Sequence, residues 1–240
     1  MRIVIFANLK TMGYLNVLIL SYLFINTLNA QIYEVGVFAG GSNFIGDVGS
    51  TTYVNPNEPA FGLVFKWNRS PRHSFRFTAI TSQLVGQDSK SNDPSRNIRD
   101  YSFENSIIEL SAGMEFTFLE FDQHDQGLLI TPYLYGGVSA LRHGDYYFDP
   151  LGNFISEDTK SWSIAIPMAL GIKYRVATHL ILSAEIGARA TFTDGIDGSV
   201  PNSEQFQRFR FGNINSTDWY VFSGVSLTYS FGRRPCYCNF

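Results

Sequence analysis

The chain has 240 residues, 45% hydrophobic and 16% charged, and this composition excludes intrinsic disorder because it can bury a core. Aromatic residues make up 15%, with 21 Phe and 13 Tyr, while a mean hydropathy of −0.03 is too low for a bundle of transmembrane helices. A β-rich protein with a net charge of −3 remains.

Residues 1–30 have the pattern of a secretory signal peptide. Arg2 and Lys10 precede an apolar stretch over residues 15–28, and the small residue Ala30 follows it. A transmembrane anchor is the alternative, but four polar residues interrupt the stretch, which is short for a bilayer span. Removing the segment leaves 16 basic against 21 acidic residues, a charge of −5, so we expect no nucleic-acid partner.

From residue 31 to residue 231, apolar side chains alternate with polar or small ones at a period of two, which is typical of half-buried strands. The β-branched and aromatic content and the many glycines favour strand over helix. Eight segments show the pattern: residues 33–39, 61–67, 75–79, 108–118, 130–140, 162–174, 180–192 and 219–231. Pro132 and Pro167 lie inside two of them and predict a bulge or a local break there, because proline cannot donate to the ladder.

The connections between these segments alternate in length. Those at residues 69–73, 119–127 and 176–179 are short, and those at 45–58, 86–100, 142–160 and 194–217 are long and polar. This sorting predicts an eight-stranded antiparallel transmembrane β-barrel of the outer membrane, with short periplasmic turns, long extracellular loops and both mature termini in the periplasm. A soluble sandwich or lipocalin would instead place its apolar face inside.

With the apolar face directed at lipid, the opposite face of each strand points into the barrel. Eight strands enclose a space just wide enough for side chains, so we expect a paired plug rather than a porin channel. We expect Tyr133, Tyr135 and Phe38 to help fill it. The charged residues of this predicted lumen are Glu34, Glu109, Glu115, Glu185, Lys66, Arg76, Lys173 and Arg189.

The last strand carries a candidate assembly signal. Residues 223–229, followed by Phe231, resemble the polar–Gly–x–x–apolar–x–apolar pattern recognised by the barrel insertion machinery, although many outward-facing strands share it. Residues 232–240 are too polar and proline-broken for a ninth strand, and the topology places them in the periplasm.

This tail holds Cys236 and Cys238, the only cysteines in the chain. With one residue between them they can pair only in a strained ring, so disulfides to another protein are one interpretation. A local disulfide or free thiols are the alternative, and two cysteines are too few for structural zinc. Arg233 and Arg234 could pair with acidic groups on a partner or remain solvated.

We expect no catalytic residues, no cofactor and no metal site. His73, His124 and His179 map to turns without carboxylate or thiolate neighbours. His143 begins a predicted extracellular loop near Ser139, but no third group completes a catalytic set. A lipid-modifying enzyme is therefore the weakest alternative.

Several segments together resemble the PorG family of small outer-membrane barrels, which belong to the type IX secretion system of Bacteroidota. They are Phe44-Ile45-Gly46-Asp47-Val48-Gly49, Pro59-Ala60-Phe61-Gly62, Asn68-Arg69-Ser70-Pro71-Arg72-His73, Thr131-Pro132-Tyr133-Leu134-Tyr135-Gly136-Gly137 and Ile172-Lys173-Tyr174-Arg175. The resemblance covers most of the mature chain, and the first segment is its most distinctive part.

The resemblance implies a non-enzymatic role in protein secretion or gliding motility. Family members associate with the periplasmic ring of the lipoprotein PorK and PorN (GldK and GldN in gliding bacteria) and are thought to hold it to the outer membrane. On this basis Cys236 and Cys238 are candidates for inter-protein disulfides, and Arg69, Arg72 and His73 for a docking turn, although the same residues also make an ordinary turn. The alternative is a small general barrel with an OmpA- or OmpX-like structural or adhesion role.

Overall fold

The computed structural model describes residues 32–122, 129–213 and 216–232. Eight strands follow one another: β1 (Ile32–Ile45), β2 (Glu58–Asn68), β3 (His73–Gln87), β4 (Ser102–Thr117), β5 (Ile130–Phe148), β6 (Phe154–Ala177), β7 (Leu180–Thr191) and β8 (Trp219–Phe231). Each strand pairs antiparallel with the next, and β8 pairs with β1 to close the ring. The predicted eight-stranded antiparallel barrel is confirmed.

The other regular elements lie in the connections. They are the short helix α1 (Pro94–Arg99) and two 3-10 segments, Asp88–Lys90 and Glu204–Phe209. Asp93 caps α1 by accepting from the backbone N–H of Ser95 at 2.9 Å. Within the described ranges, every helix is too short or too polar to cross a bilayer.

The period of two produces two barrel surfaces of opposite character. Along β3, Phe75 and Phe77 point outward and are exposed, whereas Arg76 and Thr78 point inward and are buried. All eight strands follow this rule, so the buried side chains of this protein are in large part the polar ones. The barrel thus inverts the arrangement of a soluble β-sandwich.

The interior has two zones along the barrel axis. The half near the start of β1 and the end of β8 holds most of the predicted lumen charges. The other half holds an aliphatic and aromatic core, and further buried carboxylates such as Asp88, Asp197 and Asp218 lie at that end. In that core Phe44 and Phe103 meet edge to face, with ring centroids 4.8 Å apart. Ile196, from the connection between β7 and β8, is fully buried in the core, and Asn105 Nδ2 donates to its carbonyl at 2.8 Å. This connection therefore folds back over the barrel end.

The predicted length of the connection at residues 142–160 is wrong. β5 continues to Phe148 and β6 begins at Phe154, so a tight turn joins them. β1, β3 and β4 also run further in this direction than predicted. The physical reason is that backbone pairing continues where the outward side chains stop being uniformly apolar, and the alternation used for prediction ends there.

The prediction of a bulge or a local break is wrong for Pro132 and confirmed for Pro167. No bulge occurs at Pro132, which pairs with Ile172, and its carbonyl accepts from Phe118 just beyond the last β4 residue. Its missing N–H therefore falls at the end of the β4–β5 ladder. Opposite Pro167 the β5–β6 ladder is interrupted but resumes in the same register. The register shifts lie between Gly144 and Tyr146 and between Arg175 and Ala177 instead.

Candidate functional site

The outer surface of the barrel is a continuous apolar belt. Soluble monomers seldom expose apolar patches larger than a few hundred Å². Here every strand contributes exposed aliphatic or aromatic side chains, among them Val37, Leu63, Phe77, Leu110, Val138, Ile164, Met168, Leu170, Ile186 and Leu227. Such a surface is complementary to hydrocarbon.

Inside the barrel, Glu115 is the centre of the charge network. Each of its two carboxylate oxygens lies next to one ammonium group: Lys66 Nζ is 2.8 Å from Oε2, and Lys173 Nζ donates to Oε1 at 3.0 Å. Arg76 approaches Oε2 to 3.9 Å. All four side chains are buried, and they come from β2, β3, β4 and β6, so this one carboxylate connects half of the strands.

A second carboxylate, Glu185 on β7, forms a bidentate pair with Arg76. The two guanidinium nitrogens donate to its oxygens at 2.6 and 2.7 Å, a geometry that matches the planar fork of arginine. The Tyr133 hydroxyl also donates to Glu185 at 2.7 Å, and the Arg76 guanidinium lies 4.7 Å from the centre of the Tyr135 ring. Arg76 thus joins the two carboxylate centres.

The remaining lumen charges lie on either side of this centre. Toward the aromatic core, Glu109 accepts from Arg189 Nε at 3.3 Å and from the Tyr220 hydroxyl. Toward the opposite end, Glu34 accepts from Asn68 Nδ2 at 2.8 Å and from Thr228 Oγ1 at 2.9 Å. The acids and bases are therefore shared rather than paired singly: Glu115 contacts three bases, and Arg76 contacts both Glu115 and Glu185.

The lumen is closed by these contacts. The structure places the eight charged residues and the expected fillers Phe38, Tyr133 and Tyr135 inside the barrel, each at most 5% exposed. Charges buried in this way need partners, and the ion pairs described above supply them, although Arg76 Nε and Glu109 Oε1 make no hydrogen bond. The arrangement can hold the strands together, and it fills the middle of the barrel with buried side chains.

The predicted docking residues Arg69, Arg72 and His73 lie together on the turn between β2 and β3. The turn is closed by backbone bonds from Arg69 and Ser70 to the His73 carbonyl. The Arg72 guanidinium lies 3.3 Å from the Glu120 carboxylate, and both side chains are largely exposed. The other predicted partner-binding residues, Arg233, Arg234, Cys236 and Cys238, lie outside the described residues, as do the signal peptide and His124.

The predicted position of His143 at the start of a loop near Ser139 is wrong. His143 lies within β5 rather than at the start of a loop, and Ser139 donates to the carbonyl of Ala165 at 3.3 Å. The ring nitrogen Nε2 of His143 instead lies 2.9 Å from the hydroxyl of Ser163 on β6. Sequence reasoning missed Ser163 because only the β5–β6 register brings the two side chains together.

Carboxylates converge beneath the connection between β7 and β8. Asp197 accepts from the backbone N–H groups of Asp47 and Val48 at 3.0 and 3.1 Å, and Asp218 accepts from Ile196 at 2.9 Å. Burial, together with neighbouring Asp47 and Asp197, raises the pKa of Asp194 to about 7. Burial and Asp197 likewise hold the pKa of Asp218 well above its ordinary value. Across the described ranges, no three His, Cys, Asp or Glu side chains are arranged to hold a metal ion.

Solved structures with a similar chain path are small barrels. Ail, the attachment invasion locus protein of Yersinia pestis, is 8% identical over 84% of this chain and 99% of that one, with a TM-score of 0.46. Neisserial surface protein A is 12% identical over 83% and 97%, with a TM-score of 0.47. A major outer membrane protein from Thermus thermophilus is 14% identical over 85% and 100%, with a TM-score of 0.46.

A comparison with curated proteins gives no match. A family model does match, from residue 13 to residue 240, and so covers nearly the whole sequence. The chain therefore belongs to the family described as the domain of unknown function DUF6089.

Proposed function

We propose that this protein is an outer-membrane barrel that serves as a non-conducting anchor. The observation that carries the proposal is the combination of a fully apolar outer belt with a lumen closed by buried, mutually neutralised charges. The belt suits hydrocarbon, and the network makes the barrel rigid instead of permeable. A rigid, closed barrel is suited to holding another structure at the membrane.

In the finer form of the proposal, the anchored structure is the periplasmic PorK/PorN (GldK/GldN) ring of type IX secretion. Its support is the resemblance of the segments quoted above and the placement of the candidate contacts. The turn with Arg69, Arg72 and His73 lies at the same barrel end as the start of β1 and the end of β8. The tail with Cys236 and Cys238 follows β8 and is proposed to bind from that end.

Conductance tests the closed lumen. Purified protein inserted in planar bilayers is expected to give no steady single-channel current, because ions would have to displace the Glu115 and Glu185 pairs. A porin inserted under the same conditions is the positive control. Stable unitary currents from the wild-type barrel would contradict the anchor proposal.

Co-purification tests the partner. Native outer membranes extracted without reductant are expected to yield a reducible high-mass complex that contains ring proteins, and Cys236→Ser/Cys238→Ser is expected to abolish it. Leu151→Ser, in the exposed turn at the other barrel end, is the matched control. If the cysteine variant leaves both the complex and secretion unchanged, the disulfide proposal is wrong.

A structural or adhesion role is the second candidate. At the barrel end opposite the termini, Tyr147 stacks on Phe206 with ring centroids 4.2 Å apart, and Phe209 follows at 5.5 Å. Aromatic faces on surface connections are common contact groups in recognition. Purification of the barrel without ring proteins, together with binding to host or sister cells, would favour this alternative.

A further inference from the structure

A serine and a histidine form a hydrogen-bonded pair at the barrel end opposite the chain termini. His143 is 3% exposed on β5, and its Nε2 lies 2.9 Å from Ser163 Oγ on β6. His143 Nδ1 lies 3.1 Å from the carbonyl oxygen of Gly144. Because a carbonyl only accepts, Nδ1 carries the proton of the neutral ring, and Nε2 is left to accept from the serine hydroxyl. This is the tautomer that a general base requires.

A buried carboxylate lies on the other side of the imidazole. Asp145 Oδ1 is 3.9 Å from His143 Nδ1, and Oδ2 accepts from Thr159 and Ser161 at 2.8 and 2.9 Å. These two hydrogen bonds fix the orientation of the Asp145 carboxylate. An anion in this position stabilises the imidazolium that forms when His143 takes a proton. The register shift between Gly144 and Tyr146 directly adjoins Asp145, and such irregularities commonly re-aim side chains at active sites.

The pair opens into a cavity of about 650 Å³, within the size range of small-molecule sites. The cavity exists because β6 extends further than β7 at this end of the barrel. The last β6–β7 pair is Ala165 with Thr191, and beyond it the edge of β6 faces the connection between β7 and β8. One rim of the cavity is apolar and belongs to the belt, with Trp162, Ile164 and Phe192 all strongly exposed. The inner wall is polar and carries His143, Asp145, Ser163 and Asn202.

We infer that Ser163 and His143 form a nucleophilic site that hydrolyses an acyl ester of an amphiphilic lipid. His143 Nε2 removes the hydroxyl proton while Ser163 Oγ bonds to the acyl carbon, and the carbonyl electron pair moves onto the ester oxygen to give a tetrahedral oxyanion. When the ester C–O bond breaks, the leaving alcohol takes the proton from His143 and an acyl-serine remains. Water then attacks this acyl group with His143 as base, which releases the carboxylic acid and restores Ser163. Asp145 is a positioning residue.

The cavity's position selects the substrate class. An acyl chain in the outer leaflet can reach the gap between Trp162 and Phe192 from the side, while its polar headgroup remains on the polar side of the cavity near Asn202. This assignment rests on the membrane location given under Proposed function, and it departs from the expectation that the chain has no catalytic residues. A wholly water-soluble ester would not use the apolar rim.

The test uses the full chain, folded in an ester-free maltoside detergent and confirmed as a barrel by heat-modifiable migration. A fluorophosphonate probe is expected to label the wild-type protein. The labelling rate of the His143→Gln and Ser163→Ala variants is expected to be at least about 100-fold lower. Ser139→Ala is the matched control: this hydroxyl bonds the Ala165 carbonyl outside the cavity, and labelling is expected at the wild-type rate. Asp145→Asn is expected to lower kcat for p-nitrophenyl laurate with KM unchanged.

Folded wild-type protein that is not labelled, or Ser163→Ala protein that hydrolyses the laurate ester equally fast, would overturn the inference. Hydrolysis of p-nitrophenyl butyrate without any of the laurate ester would overturn the lipid substrate. Ser163→Ala leaves the lumen charges and the periplasmic turn untouched, so conductance and co-purification of ring proteins in this variant are expected to match wild type. The esterase assay and those two measurements can therefore fail independently.

Discussion

Replacing Glu115 by Gln should be among the most destabilising conservative changes in the barrel. The substitution keeps the shape of the side chain but removes the anion shared by Lys66 at 2.8 Å and Lys173 at 3.0 Å, with Arg76 at 3.9 Å. Breaking one buried ion pair by removing a partner costs about 3–5 kcal/mol, because the other charge stays buried. Here two ammonium groups lose their partner at once, so we expect a loss of at least about 3 kcal/mol.

The assay is urea unfolding of the barrel in lipid vesicles, followed by tryptophan fluorescence. Glu120→Gln is the control, because it breaks the exposed pair with Arg72, and exposed pairs contribute about 0–1 kcal/mol. Adding Lys66→Met and Lys173→Met to Glu115→Gln should recover much of the stability, since buried ionic groups can be replaced by apolar ones of similar size. If Glu115→Gln and Glu120→Gln unfold at the same urea concentration, the ion-pair reasoning is refuted.

Three further predictions address the belt, the barrel closure and the carboxylates under the β7–β8 connection. Leu63→Arg, at a belt position 64% exposed, should destabilise the barrel in vesicles by about 2–4 kcal/mol, whereas Leu151→Arg in the exposed turn should have little effect; equal unfolding midpoints would contradict a lipid-facing belt. Gly36→Val should prevent closure, because a Cβ at this inward position would clash with the backbone of Leu227 on β8; a normal heat-modifiable band would contradict this. Because burial raises the pKa of Asp194 from 3.8 to about 7, the folded connection binds more protons than the unfolded one between these values, so its stability should fall as pH rises through this window. Hydrogen exchange of residues 194–213, corrected for intrinsic rates, should show less protection at about pH 8 than at about pH 5, and Asp194→Asn, which removes the titrating group, should weaken this dependence; a pH-independent protection would refute the assignment.

The parts of the barrel that the sequence predicts are those governed by a period of two. Lys66 and Arg76 alternate with large apolar neighbours, so their inward direction follows once the apolar face is assigned to the exterior. The parts that it does not predict depend on register. Arg76 contacts both Glu115 and Glu185, a sharing that only the closed arrangement of β3, β4 and β7 determines.

The sequence does not predict the contact between His143 and Ser163, again because it depends on strand register, and also because it depends on the length of β5. His143 and Ser163 are 20 residues apart, and they meet only because β5 continues beyond its predicted end at residue 140 and pairs with β6 there. The apolar alternation ends where the outward residues become polar, and it therefore assigns His143 to a loop. Pro132 shows the converse error: a proline inside a strand pattern costs little when its missing N–H falls at the end of a ladder.

The pairing of the first strand with the last has a consequence for assembly. Thirteen residues of β1 pair with β8, and the bond from Thr228 to Glu34 spans 194 positions of the chain. Until β8 is available, β1 and β7 each present an unsatisfied backbone edge, which is a template for pairing with other chains. The polypeptide must therefore be kept apart from other copies of the same chain until its last strand is available for pairing. A product truncated before Trp219 would polymerise through these strand edges instead of closing into a barrel.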